Sequence, residues 1–133
     1  MHRVNIELHE MFSALSDPYR IRIVRLMLGA KEELCLCDLS EALGEPEYKI
    51  SRHVKTLRNA GLLTSEREGK WIYHSLVKNA SYLKAILRAV SLFPNSEKDG
   101  EADSNRLKKL TNNRVGRRCT APSRSIEMAE KRA

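Results

Sequence analysis

Residues 45–63 read EPEYKISRHVKTLRNAGLL, and the way this stretch folds decides the architecture around it. Ile50, Val54 and Leu57 recur at i, i+4 and i+7, the spacing of one face of an α-helix. The spacing predicts a helix from Glu47 to Ala60, closed by Gly61. Tyr48, Arg52, Lys55, Thr56 and Asn59 fall opposite the apolar stripe, with Lys49, Ser51 and Arg58 beside it. After Glu47 this outer face carries no acidic residue, which separates it from an ordinary solvated face where both signs alternate.

Working upstream, residues 33–43 read ELCLCDLSEAL. Leu39, Ala42 and Leu43 supply an inward face, Asp38 and Glu41 form a capping-box-like pair, and Gly44 stops the helix. A short helix, a glycine-containing turn and a second helix with a basic outer face form a helix-turn-helix pattern. Further upstream, Leu8, Met11, Phe12 and Leu15 mark a first amphipathic helix. Asp17 then caps a helix that starts at Pro18, is apolar almost all round and ends at Gly29. Downstream, the period changes to that of strands. The run LLTSEREGKWIYHSLV (62–77) places Glu68-Gly69 between two β-forming runs, which predicts a hairpin with Arg67 and Lys70 at its tip. Beyond Asn79, a candidate N-cap, Tyr82, Leu83, Ile86, Leu87 and Val90 mark a last helix ending near Pro94. The fold class is therefore mainly α with a small β-hairpin: a winged helix-turn-helix, homodimeric through its terminal helices.

Composition sets the outer limits. The 133 residues carry a net charge of +7, which points toward a polyanionic partner. Residues 1–94 hold 14 Lys/Arg against 11 Asp/Glu, and residues 95–133 hold 10 against 6. We place the DNA-binding and dimerisation domain at 1–94. The stretch 95–133 lacks aromatics and has few large apolar residues, so it reads as a basic, mostly disordered tail. No apolar run approaches the roughly 20 residues that span a bilayer, and residues 1–12 do not resemble a secretory signal, which places the chain in the cytoplasm. No CxxC, no Cys/His/acid constellation and no phosphate-cradling glycine loop is present, which excludes the common thiol enzymes and nucleotide enzymes.

Cys35 and Cys37 are two of three cysteines, an odd number too small for a disulfide framework. In a regular helix, residues two apart point about 200° away from one another; in extended chain they face the same way. The predicted helix covers about Leu39 to Leu43, so the pair precedes it or sits in its fraying first turn. There the sulfurs can face one ligand, and the positive end of the helix dipole lies close by. His53 borders the apolar stripe, either as a satisfied half-buried histidine or as a phosphate contact. His2, His9 and His74 read as surface residues, and Trp71 and Tyr73 as packing of the wing.

The segments LSDPYRIRIV, ELCLCDL, ISRHVKTLRNAGLL and REGKWIYHSL, in this order, resemble the ArsR/SmtB family of winged-helix, metal-sensing transcriptional repressors over about residues 6–93. ELCLCDL resembles the arsenite-sensing branch. The resemblance implies a homodimer that binds twofold-symmetric double-stranded operator DNA and represses an arsenic-resistance operon. Arsenite or antimonite would bind Cys35 and Cys37 as inducer and release the DNA. Ser51, Arg52 and His53 would lie in the DNA-reading helix. Taken with the basic face, the DNA-contacting set is Tyr48, Lys49, Ser51, Arg52, His53, Lys55, Thr56, Arg67 and Lys70. The branch often has a third cysteine three residues after the second; here Ser40 stands there. A third ligand could be Cys119, a small cellular thiol or a hydroxide. The alternative within the family is that the pair senses redox state or another thiophilic metal.

Overall fold

The computed structural model describes residues 6–30, 33–94 and 98–112. Five helices and a three-stranded sheet form the body: α1 (Leu8–Ala14), α2 (Pro18–Ala30), β1 (Leu34–Cys35), α3 (Leu36–Leu43), α4 (Glu47–Asn59), β2 (Leu63–Glu68), β3 (Trp71–Leu76) and α5 (Ser81–Leu92). A sixth helix, α6 (Lys98–Asn112), follows. Among the described residues, no helix is long and apolar enough to cross a membrane.

The core forms where the apolar stripes meet. Ile23, Val24, Leu26 and Met27 of α2 pack with Leu39, Ala42 and Leu43 of α3 and with Ile50, Val54 and Leu57 of α4. Removing most of one such side chain, as in Leu57→Ala, costs about 2–5 kcal/mol. The ends of these helices follow local chemistry. Asp17 Oδ1 accepts the amide hydrogens of Tyr19 at 2.8 Å and Arg20 at 3.3 Å, the expected cap ahead of Pro18. Gly44 closes α3 at φ 67°, a conformation that favours glycine. Three boundaries differ from expectation. Helix α2 runs through Gly29 to Ala30, α5 is preceded by Ala80 rather than capped by Asn79, and α3 starts at Leu36 rather than Leu39.

The sheet has the order β1-β3-β2, all antiparallel. The hairpin pairs Leu63 with Leu76 through to Glu68 with Trp71 and turns at Gly69 and Lys70, with Gly69 at φ 65°. Strand β1 was not expected: its two residues are too few to show a period. It pairs Leu34 with His74 and Cys35 with Tyr73, so the cysteine segment is a strand of the wing sheet.

The tail reading needs a correction over 98–112. This segment is helical and packs on α2 and α3, with Asp103 and Leu107 buried. A low apolar content argued against order, but an ion-pair network anchors the helix. Residues 113–133, with Cys119, and residues 1–5, with His2, lie outside the described residues.

Candidate sensor and DNA-binding site

The cysteine segment changes conformation between its two sulfurs. Cys35 ends β1 in extended backbone (φ −82°, ψ 166°) and is the N-cap of α3; Cys37 lies in the first turn. Their Cα atoms are 5.4 Å apart and the two Sγ atoms are in disulfide contact. The sulfurs therefore meet in the way that extended backbone at the first of them permits. Both residues are buried, against Tyr73 and Trp71. A capping box ties the segment down, one turn earlier than the expected Asp38/Glu41 pair. Cys35 Sγ accepts the Asp38 amide hydrogen, and Asp38 Oδ2 accepts the Cys35 amide hydrogen at 3.1 Å.

Asp38 is the functional candidate that sequence reading treated only as a cap. Its carboxylate is buried, and one oxygen lies within 4.8 Å of both sulfurs, giving a compact set of two soft donors and one hard one. Ser40 does not join it. Its hydroxyl donates to the Glu45 carbonyl at 2.6 Å, across the turn between α3 and α4.

The predicted DNA-contacting residues divide into two groups. Tyr48, Ser51, Arg52, Lys55 and Thr56 are exposed along α4, and Arg67 and Lys70 are exposed at the hairpin tip. Lys49 and His53 instead turn toward α2. The Lys49 ammonium lies 3.0 Å from Glu45 Oε1 and 4.0 Å above the Tyr19 ring. The hydrogen bond to Glu45 raises the Lys49 pKa and lowers that of Glu45. His53 stacks on Tyr19 with centroids 5.9 Å apart, and its Nδ1 lies 3.3 Å from Arg20 Nη1. Burial lowers the His53 pKa; the Asp17 carboxylate opposes this, and Arg20, Arg52 and Lys49 add to the lowering. His53 is half-buried and partnered, as the first of its two alternative readings expects.

His74 departs furthest from expectation. It is buried, not on the surface, and its Nδ1 lies 2.8 Å from Ser65 Oγ. Arg58 Nη1 donates to the same hydroxyl at 3.3 Å. Burial, with a smaller contribution from Arg58, lowers its pKa to about 4. A neutral His74 can accept from Ser65, linking the centre of the sheet to the last turn of α4.

The family described as "Bacterial regulatory protein, arsR family" matches residues 17–65. The chain is 45% identical over 67 residues to the "Arsenical resistance operon repressor" of Escherichia coli, covering 50% of this chain and 56% of that protein. It is 38% identical over 81 residues to an "Arsenic resistance transcriptional regulator" of Pseudomonas putida, covering 60% and 62%. The chain thus spans less than two thirds of either relative. An uncharacterized HTH-type transcriptional regulator of Methanocaldococcus jannaschii is 32% identical over 81 residues, covering 61% of this chain and 88% of its own length. In fold, the chain resembles HlyU from Vibrio cholerae, with a TM-score of 0.55 and 23% identity over 62% of this chain and 85% of that one.

Proposed function

Because the chain belongs to the arsR family of bacterial regulatory proteins, we propose that it is a DNA-binding repressor released from its operator by arsenite or antimonite at Cys35 and Cys37. One observation carries this reading: the two sulfurs meet at the first turn of α3, the helix that leads through a three-residue link into α4. The exposed face of α4 enters the major groove, where Tyr48, Ser51 and Arg52 meet base edges. Lys55, Arg67 and Lys70 face phosphates and supply salt-dependent affinity.

The acceptor form is the dithiol. The two thiols displace two hydroxyls of arsenous acid, and each thiol proton leaves with a hydroxyl as water. Arsenic keeps a third position for the Asp38 carboxylate, its remaining hydroxyl, a cellular thiol or Cys119. Binding favours a backbone geometry at Cys35–Cys37 in which α3 frays or tilts. The metalloid need only prefer that geometry for the operator affinity to fall, about 5–150-fold for a coupling of ~1–3 kcal/mol.

The working form is a homodimer. Helices α1 and α5, with the residue that follows α5, leave Phe12 56%, Leu92 65% and Phe93 71% exposed, and a second copy covers such faces economically. Two α4 helices must then sit about one DNA turn, roughly 34 Å, apart.

The disulfide contact favours a second reading, in which oxidation is the signal. The dithiol gives up two electrons and two protons to a peroxide, which leaves as water or alcohol plus water. Fluorescence anisotropy on duplex DNA from the promoter of the protein's own gene separates the readings. Release by arsenite or antimonite, with peroxide inert, is expected. Release by peroxide alone would establish the second reading, and failure to bind any duplex would overturn both.

A further inference from the structure

Helix α6 lies beyond the family match at 17–65, yet it grips the cysteine-bearing helix. Asp103 of α6 is only 2% exposed. Its Oδ2 accepts from Arg22 Nε at 3.0 Å and its Oδ1 from Arg22 Nη2 at 2.8 Å, a two-pronged pair. The same Oδ1 accepts from Arg106 Nη2 at 2.9 Å. Both guanidiniums then reach the far end of α3. Arg106 Nε donates to the Ala42 carbonyl at 2.6 Å and Arg22 Nη2 to the Leu43 carbonyl at 3.4 Å. Ala42 and Leu43 are the last two residues of α3, and their carbonyls are among those that a helix end leaves without intrahelical partners.

Helix α3 is eight residues long, roughly 12 Å. Its N-cap and first turn carry the cysteines, and the carbonyls of its last turn receive this arginine pair. A buried carboxylate is costly unless its cations stay in place, so Asp103 fixes Arg22 and Arg106 while they fix α3.

We propose that α6 is a regulatory clamp on the cysteine-bearing helix: Asp103 positions Arg22 and Arg106 on the C-terminal carbonyls of α3 and thereby sets how much arsenite is needed for release. The arsenite half of this statement rests on the function proposed above. A ligand that favours a displaced α3 must work against the clamp. By linkage, loosening the clamp populates the displaced form in advance, so arsenite binds more tightly and the operator less tightly. Asp103 is a positioning residue; it touches neither DNA nor the metalloid.

The test uses the full chain with Asp103→Asn, Arg106→Gln and Arg106→Lys, and two readouts on the protein free of DNA. The first is amide hydrogen exchange across the fold; the second is arsenite affinity measured by competition with a small dithiol. In Asp103→Asn and Arg106→Gln, amides of residues 36–43 should exchange at least about fivefold faster while those of α4 and the hairpin keep their protection. Arsenite affinity should rise by at least about fivefold. Arg106→Lys keeps the charge beside Asp103, but a single ammonium replaces the fork that also holds Ala42, so it should loosen α3 as well. Wild-type exchange in α3 for all three variants would overturn the clamp. So would uniform loss of protection throughout the core, or loosening of α3 with unchanged arsenite affinity. A wild-type chain that takes up no arsenite would sink the ligand reading; the exchange comparison is independent of it and still decides whether α6 holds α3.

Discussion

His74 shows how much one side chain can contribute to the pH response. Consecutive residues of a strand face opposite sides, yet both Tyr73 and His74 are buried: Tyr73 packs with Cys35, Cys37 and Trp71, and His74 meets Ser65. Its folded pKa of about 4 lies below the ordinary value of 6.5. Between these values the unfolded chain binds the extra proton and the folded chain does not. Stability is therefore present above pH 6.5 and lost as the pH falls toward 4, by about 2 kcal/mol between pH 7 and pH 5. Urea unfolding of wild type and His74→Gln at the two pH values checks this; the variant should lose most of the difference over that interval. A surface histidine was expected because the sequence does not show that both faces of this strand are covered. Asp17 was legible because its cap is local: burial raises its pKa, but the amides of Arg20 and Tyr19 outweigh it and hold the pKa low. Lys49 was placed beside the outer face from helical position and His53 in the DNA-reading helix from the family resemblance; that both meet Tyr19, 30 and 34 residues away in the chain, could not be read from either signal.

Among the elements, α4 and the hairpin could be read directly, since a 3.6-residue stripe and a glycine turn between β-forming runs are signals within one segment. Strand β1 and helix α6 could not. The first is two residues long, and the second holds its place through Asp103 and Arg22, 81 residues apart. The hairpin carries its own prediction. Arg67→Ala and Lys70→Ala each remove an exposed cation that we propose faces the phosphates. Each should weaken binding to all duplexes alike and reduce the slope of log affinity against log salt by about 1. Arg52→Ala on α4 should instead lower operator affinity more than affinity for unrelated duplex, by about 1–3 kcal/mol if it pairs with a guanine. Competition anisotropy at several salt concentrations distinguishes the two patterns. Equal losses on every duplex for Arg52→Ala would remove it from base reading.

At the scale of the whole molecule, the proposed function needs a sensor, a reading helix and a dimer to act together. The apolar residues left exposed on α1 and α5 should be covered by a second copy. Leu92→Glu with Phe93→Glu should shift the protein from dimer to monomer in light scattering and lower operator affinity at least tenfold, with the protomer still folded. A variant that remains dimeric would place the contact elsewhere. The central claim is that Cys35 and Cys37 convert arsenite into loss of DNA. The most direct measurement follows anisotropy of promoter duplex at fixed salt as arsenite is added to reduced wild type, Cys35→Ser, Cys37→Ser and Cys119→Ser. All four should bind the duplex, and arsenite should release wild type while Cys35→Ser and Cys37→Ser stay bound; the Cys119→Ser curve then reports whether the C-terminal segment supplies the third ligand. Release of Cys35→Ser and Cys37→Ser at the wild-type arsenite concentration would contradict the central claim.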